Sequence, residues 1–140
     1  MPLESLYQDK ILELARLARS VSPLNDFSSS FTVRNPICGD MVTINLLIDN
    51  SGIIERYGHT VMGCALCEAS AGLISKNALG FQIKKSTHLK TLTSDWLNKN
   101  SEKLSFDELE CFSPVREYTN RHKCVLLSFE AFVNACKKVK

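Results

Sequence analysis

The stretch Gly63-Cys64-Ala65-Leu66-Cys67-Glu68-Ala69-Ser70-Ala71-Gly72 decides how this chain is read. Ile53 to Met62 enters it with the alternation of a strand. Leu66, Ala69, Leu73 and Ala78 leave it at roughly helical spacing. Cys64 therefore falls at a strand-to-helix turn, beside the unsatisfied N–H groups that open a helix. Those groups and the positive end of the helix dipole favour a thiolate. A thiolate so placed binds metal or carries sulfur.

Upstream, Met41 to Asp49 places Val42, Ile44, Leu46 and Ile48 on one face, and Asn50-Ser51-Gly52 makes a hairpin turn into the next strand. Phe31 to Arg34 adds a short strand, so an antiparallel meander of three strands is expected. Between the first two strands lies Asn35-Pro36-Ile37-Cys38-Gly39-Asp40. Pro36 fixes one φ and Gly39 permits a φ that side chains resist, so Cys38 and Asp40 can point into one small volume. Residues 20–30 are loop. Residues 5–19 form an amphipathic helix through Tyr7, Ile11, Leu14 and Ala18, with Ser5 as its cap.

Downstream, Gly80 ends the helix that Cys64 opens. Residues 86–99 predict another, capped by Ser86 or Thr87 and carrying Leu89, Leu92, Trp96 and Leu97. Ser105-Phe106-Asp107-Glu108 has the form of a capping box, and Pro114 interrupts the segment after it. Arg121 to Lys138 reads as a final helix, with Val125, Phe129, Phe132, Val133 and Cys136 on its apolar face and Cys124 near its start. Trp96 is read as packing.

The 140 residues suit one domain, with ordinary globular values of 44% hydrophobic and 23% charged residues. A net charge of +2 gives no reason to expect a nucleic-acid partner, and the cations near the C-terminus read as a solvated helix face. No run is long enough to span a membrane, and the N-terminus lacks a basic region followed by an apolar run. A cytoplasmic location is expected. In a reducing compartment the six cysteines read as metal-binding, catalytic or buried thiols, not as a disulfide framework.

Cys38, Cys64 and Cys124 share a position at a tight loop or helix start, whereas Cys136 reads as core and Cys111 as a non-ligand. Their separations, 25 and 59 intervening residues, are not those of a zinc finger. Asp40 has an alternative as a turn or cap residue. Cys67, three residues after Cys64, is either packed beneath its helix or a further thiol facing the site. His59 and His88 read as surface residues. His122 is a solvated neighbour of Cys124, a supporting donor or an occasional ligand.

Three ordered motifs carry a resemblance. Asn35-Pro36-x-Cys38-Gly39-Asp40, Gly63-Cys64 and Lys123-Cys124-x-Leu126-x-Ser128-Phe129 resemble the cysteine motifs of iron–sulfur cluster assembly proteins of the IscU/NifU N-terminal family. The resemblance runs from Leu6-Tyr7 to the last helix, a single domain over residues 1–140. The long segment before Cys124, and lysine at 123 with His122 one place further back, are most similar to the SufU branch. The resemblance implies an α+β fold, with a small, largely antiparallel sheet and helices packed on one face. It implies a site of Cys38, Asp40, Cys64 and Cys124, with Cys124 as the acceptor of persulfide sulfur from a cysteine desulfurase.

Three thiolates and a carboxylate suit tetrahedral Zn²⁺ and equally suit a [2Fe–2S] cluster. The partners implied are the desulfurase and apo iron–sulfur client proteins, with neither nucleic acid nor membrane. The role is a scaffold or sulfur-transfer protein more than a stand-alone enzyme. Two other readings of the residues remain: a thiol–disulfide oxidoreductase using Cys64-x-x-Cys67, and a zinc-stabilised interaction module.

Overall fold

The computed structural model describes residues 3–37 and 39–138. Helix α1 (Leu3–Ser20) begins ahead of Ser5, the expected cap; of its expected face Leu14 and Ala18 are buried and Tyr7 and Ile11 partly so, and Ala15 is buried beside them. Strands β1 (Ser29–Arg34), β2 (Met41–Ile48) and β3 (Ile54–Met62) come next. Among the described residues they form one antiparallel sheet in the order β1-β2-β3. The expected meander is present, and the molecule is α+β. Val42, Ile44 and Leu46 of the central strand point into the core, and the Asp49 carboxylate ties the β2–β3 turn by accepting the N–H groups of Ser51 and Ile53.

Helix α2 (Ala65–Asn77) leaves β3 after a two-residue turn. Its spacing predicts one buried face, but Cys67 and every residue from Ala69 to Ile74 are buried. The reason is that α1 packs against one side of α2 and α4 (His122–Lys137) against the other. The small residues Ala69, Ser70, Ala71 and Gly72 make this possible. A Cβ on Gly72 would stand 2.1 Å from the carbonyl oxygen of Leu14, so the α1 and α2 backbones meet where no side chain fits.

Helix α3 (Ser86–Leu97) is entered through a 3₁₀ turn at Ile83–Lys85. Neither Ser86 nor Thr87 caps it. The flanking residue is Lys85, and Ser86 is buried within the first turn. The expected capping box at Ser105 is likewise absent. The Ser105 hydroxyl lies 2.7 Å from that of Thr93, and its neighbour Phe106 precedes a 3₁₀ run, Asp107–Glu117, without a side-chain cap. Pro114 sits inside this run. Leu109, Phe112 and Val115 are buried at intervals of three, the period of a 3₁₀ helix.

The apolar stripe of α4 is the predicted one: Val125, Phe129, Phe132, Val133 and Cys136 are all buried. Ser29 at the start of β1 donates to the Ala135 carbonyl, which fixes α4 across the sheet. A carboxylate hub ties the other side. Glu108 receives both Lys10 of α1 and Lys76 of α2.

Candidate metal and sulfur site

Three elements deliver donors to one end of the molecule. Asp40 stands at the end of the loop from β1 to β2. Cys64 occupies the flanking position of α2, with extended backbone angles of φ −72 and ψ 171, and Cys124 lies in the first turn of α4. The carboxylate of Asp40 and the sulfurs of Cys64 and Cys124 all lie within 4.8 Å of one another. Two helix N-termini, each with its partial positive charge, thus meet where anionic donors collect.

The donor set fits a metal. Two sulfurs bound to one tetrahedral zinc stand about 3.8 Å apart, so the observed spread closes onto an ion with small side-chain rotations. Asp40, Cys64 and Cys124 would hold it. Cys38, the remaining expected ligand, lies outside the described residues.

Backbone pairing shapes the loop before Asp40. Asn35 N–H donates to the Asp40 carbonyl at 2.8 Å, and Gly39 N–H to the Asn35 carbonyl at 2.8 Å. Gly39 adopts the expected positive φ of 78°. The Asx turn considered for Asp40 belongs to Asn35, whose Oδ1 accepts the Ile37 N–H. Asp40 itself, 8% exposed, turns inward toward Gly63. A Cβ on Gly63 would lie 3.0 Å from the Asp40 carboxyl carbon and 3.1 Å from the sulfur of Cys67. The glycine of the Gly-Cys motif is the space in which the carboxylate and the second thiol sit.

Cys67 is 0% exposed beneath this cluster and outside it. Burial pushes its thiol up to about 12, and the negative charges of Asp40 and Cys64 add to the rise. His122 is also outside the cluster. It is buried, with Nε2 3.2 Å from the Arg116 carbonyl. Cys111 and Cys136 are buried in the core, and burial pushes each thiol up to about 12. His88 is exposed, as expected.

His59 departs from expectation. It is 2% exposed, with Nε2 2.8 Å from the Ala18 carbonyl and Nδ1 2.7 Å from the Tyr57 hydroxyl. Nε2 therefore carries the proton and Tyr57 donates to Nδ1.

Two serines that lie within the quoted stretches, Ser70 and Ser128, have a bonding role that the motifs do not state. Ser70 Oγ donates to the Val125 carbonyl at 2.6 Å, and Ser128 Oγ to the Cys67 carbonyl at 3.3 Å. Both lock α2 to α4. Their signal is a serine within an otherwise apolar helical face. Among the large apolar residues, Ile37, Met62 and Tyr118 are exposed, Ile37 at 84%.

A meander sheet backed by helices, with a cysteine–carboxylate cluster at one end, defines a class. The chain belongs to the family described as the NifU-like N terminal domain, whose model matches residues 6–124. It is similar to the iron–sulfur cluster assembly scaffold protein IscU of Thermotoga maritima, with 26% identity covering 99% of this chain and 98% of the relative. It is also similar to the zinc-dependent sulfurtransferase SufU of Bacillus subtilis, at 25% identity over 97% of this chain and 92% of that protein. The crystal structure of the N-terminal part of a NifU-like protein from Brucella abortus superimposes with a TM-score of 0.86, at 27% identity, covering 98% of this chain and 96% of the other.

Proposed function

We propose that this protein serves iron–sulfur cluster biogenesis by holding metal and receiving sulfur at the cluster of Asp40, Cys64 and Cys124, with Cys38 as a fourth ligand. The observation that carries this reading is the convergence of one carboxylate and two cysteine sulfurs within 4.8 Å at two helix starts. Thiolates suit both zinc and iron with bridging sulfide. The carboxylate is the harder, weaker donor, so its corner opens most easily, as a site that must release its contents requires.

Sulfur enters on Cys124. Its thiolate attacks the persulfide of a cysteine desulfurase, and the outer sulfur is left on this chain. Cys38 and Cys64 hold the metal meanwhile. The exposed apolar residues Ile37, Met62 and Tyr118 suit a surface that protein partners cover, the desulfurase on delivery and an apo client on release. The protein acts in the cytoplasm as a single domain.

Reconstitution with a cysteine desulfurase, cysteine and iron tests the reading through visible absorption and metal analysis. A colourless zinc protein that accelerates the desulfurase supports sulfur transfer. A coloured protein that passes its cluster to an apo-acceptor supports the scaffold role. A protein that neither binds metal nor gains sulfur overturns both. A Cys124→Ser variant that still accepts sulfur overturns the choice of acceptor.

A further inference from the structure

Among the described residues, Cys67 is the thiol next to the cluster that the proposed function leaves idle. It does not stand alone. Cys64 and Cys67 are three residues apart at the start of α2, one exposed at the flanking position and the other fully buried behind it. Side chains so spaced share a helix face, with Cβ atoms about 5–6 Å apart in a regular helix, and a disulfide needs about 3.5–4.5 Å. Cys64 has extended angles outside the helix proper, so its side chain swings without breaking a helical hydrogen bond. Gly63 contributes no Cβ, and the position a Cβ would take lies 3.1 Å from the Cys67 sulfur. The Cys67 sulfur occupies the room that a side chain at 63 would take, next to the Cys64 backbone. Ser128, donating to the Cys67 carbonyl, holds that turn in place.

We propose that Cys67 is a resolving thiol, which releases sulfane sulfur from Cys64 as hydrosulfide. This rests on the reading that the cluster receives sulfur. Sulfur on Cys124 reaches Cys64 by thiol exchange over the short distance between them. The Cys67 sulfur then attacks the inner sulfur of the Cys64 persulfide. A Cys64–Cys67 disulfide bond forms and the bond to the outer sulfur breaks. The outer sulfur leaves as hydrosulfide with the bonding electron pair and the proton from Cys67. Two thiols supply the two electrons that reduce the sulfane sulfur. A small dithiol reduces the disulfide and restores both thiols. The burial of Cys67 suits this role, because external thiols and metal ions meet Cys64 first.

The test loads sulfur chemically, so it does not depend on a desulfurase. The full chain is treated anaerobically, in thiol-free buffer, with one equivalent of inorganic polysulfide. Hydrosulfide is measured and the cysteines are mapped by mass spectrometry. Loading a thiol from polysulfide itself frees one sulfide-level leaving group, so the readout is the hydrosulfide released beyond that amount. Wild type is expected to release this further hydrosulfide and to show the Cys64–Cys67 disulfide, whereas Cys67→Ala and Cys67→Ser are expected to retain the added sulfur on Cys64 and release no more than loading frees. Wild type that keeps its added sulfur with Cys67 still a thiol overturns the proposal, whether or not the variants fold. A Cys64–Cys124 disulfide beside reduced Cys67 overturns it as well. Failure to accept sulfur from a desulfurase would instead count against the proposed function and leave this result standing.

Discussion

The hydroxyl of Ser70 donates to the carbonyl oxygen of Val125 at 2.6 Å, joining the helix that begins after Cys64 to the helix that carries Cys124. The bond is buried and sits one to two turns below the cluster. It ties α2 to α4 near the starts that carry the two sulfurs. Ser70→Ala leaves the Val125 carbonyl without its second partner and is expected to cost about 1 kcal/mol. Urea unfolding measures that loss. Zinc competition is expected to show weaker binding in the folded variant, and unchanged affinity would mean that packing alone holds the spacing.

Gly63→Ala attacks the same site from the opposite side. The new methyl would stand 3.0 Å from the Asp40 carboxyl carbon and 3.1 Å from the Cys67 sulfur. Both are hemmed in, so one must shift, at about 1–3 kcal/mol. Metal affinity is expected to fall more than that of a Gly80→Ala control, whose methyl meets no atom within 4 Å and whose cost is backbone strain at φ 85°, so that control matches lost stability without filling the donors' space. Equal affinities in the two variants would show that Asp40 does not need this space.

The buried His59 makes stability depend on pH. Burial lowers its pKa in the folded protein below the ordinary value of 6.5, and the bond to Ala18 only partly opposes this. The unfolded chain therefore binds the proton more readily. The contribution of neutral His59 is fully present above 6.5 and is lost as pH falls through 6.5 toward the folded value. Stability measured from about pH 7.5 to about pH 5 is expected to decline in wild type and to decline less in His59→Asn. Equal slopes would remove His59 as the cause.

Arg116 lies over the Trp96 ring at 4.6 Å, donates from Nε to the Trp96 carbonyl at 2.7 Å, and forks onto both carboxylate oxygens of Glu102. A lysine keeps the charge but loses the planar stack and the fork. Arg116→Lys is expected to destabilise by about 1 kcal/mol, seen as a lower denaturation midpoint, with sulfur acceptance unchanged because the side-chain contact includes none of Asp40, Cys64 and Cys124. A variant as stable as wild type would show that charge alone suffices there.

Most of the sheet and the last helix could be read from residue order. Alternation at Val42, Ile44 and Leu46 and the stripe from Val125 to Cys136 each match a single period, and both are buried as that period requires. The segment before α4 was illegible for a physical reason. Leu109, Phe112 and Val115 repeat every three residues, which neither an α-helix nor a strand produces. Helix starts also misled, because Ser86 and Ser105 have cap chemistry but are used in packing and in a bond to Thr93. His59 looked like a surface residue because the Ala18 carbonyl that makes its burial affordable lies far away in sequence. At the site, Asp40, Cys64 and Cys124 were legible only as a set of motifs. Their convergence depends on α2 lying between α1 and α4, and nothing local to any one motif encodes that.

The donors also come from distant parts of the chain: the loop before β2, the start of α2 and the start of α4. An ion held among them is a removable crosslink that closes two long loops of the polypeptide. Closing a loop removes entropy from the unfolded chain, and an ion that binds only the folded form adds its own mass-action term. A filled protein is then more resistant to unfolding than an empty one. Loading and unloading would change how readily this end of the fold breathes, and a partner that prefers a looser or a firmer surface could tell the two apart without touching the metal.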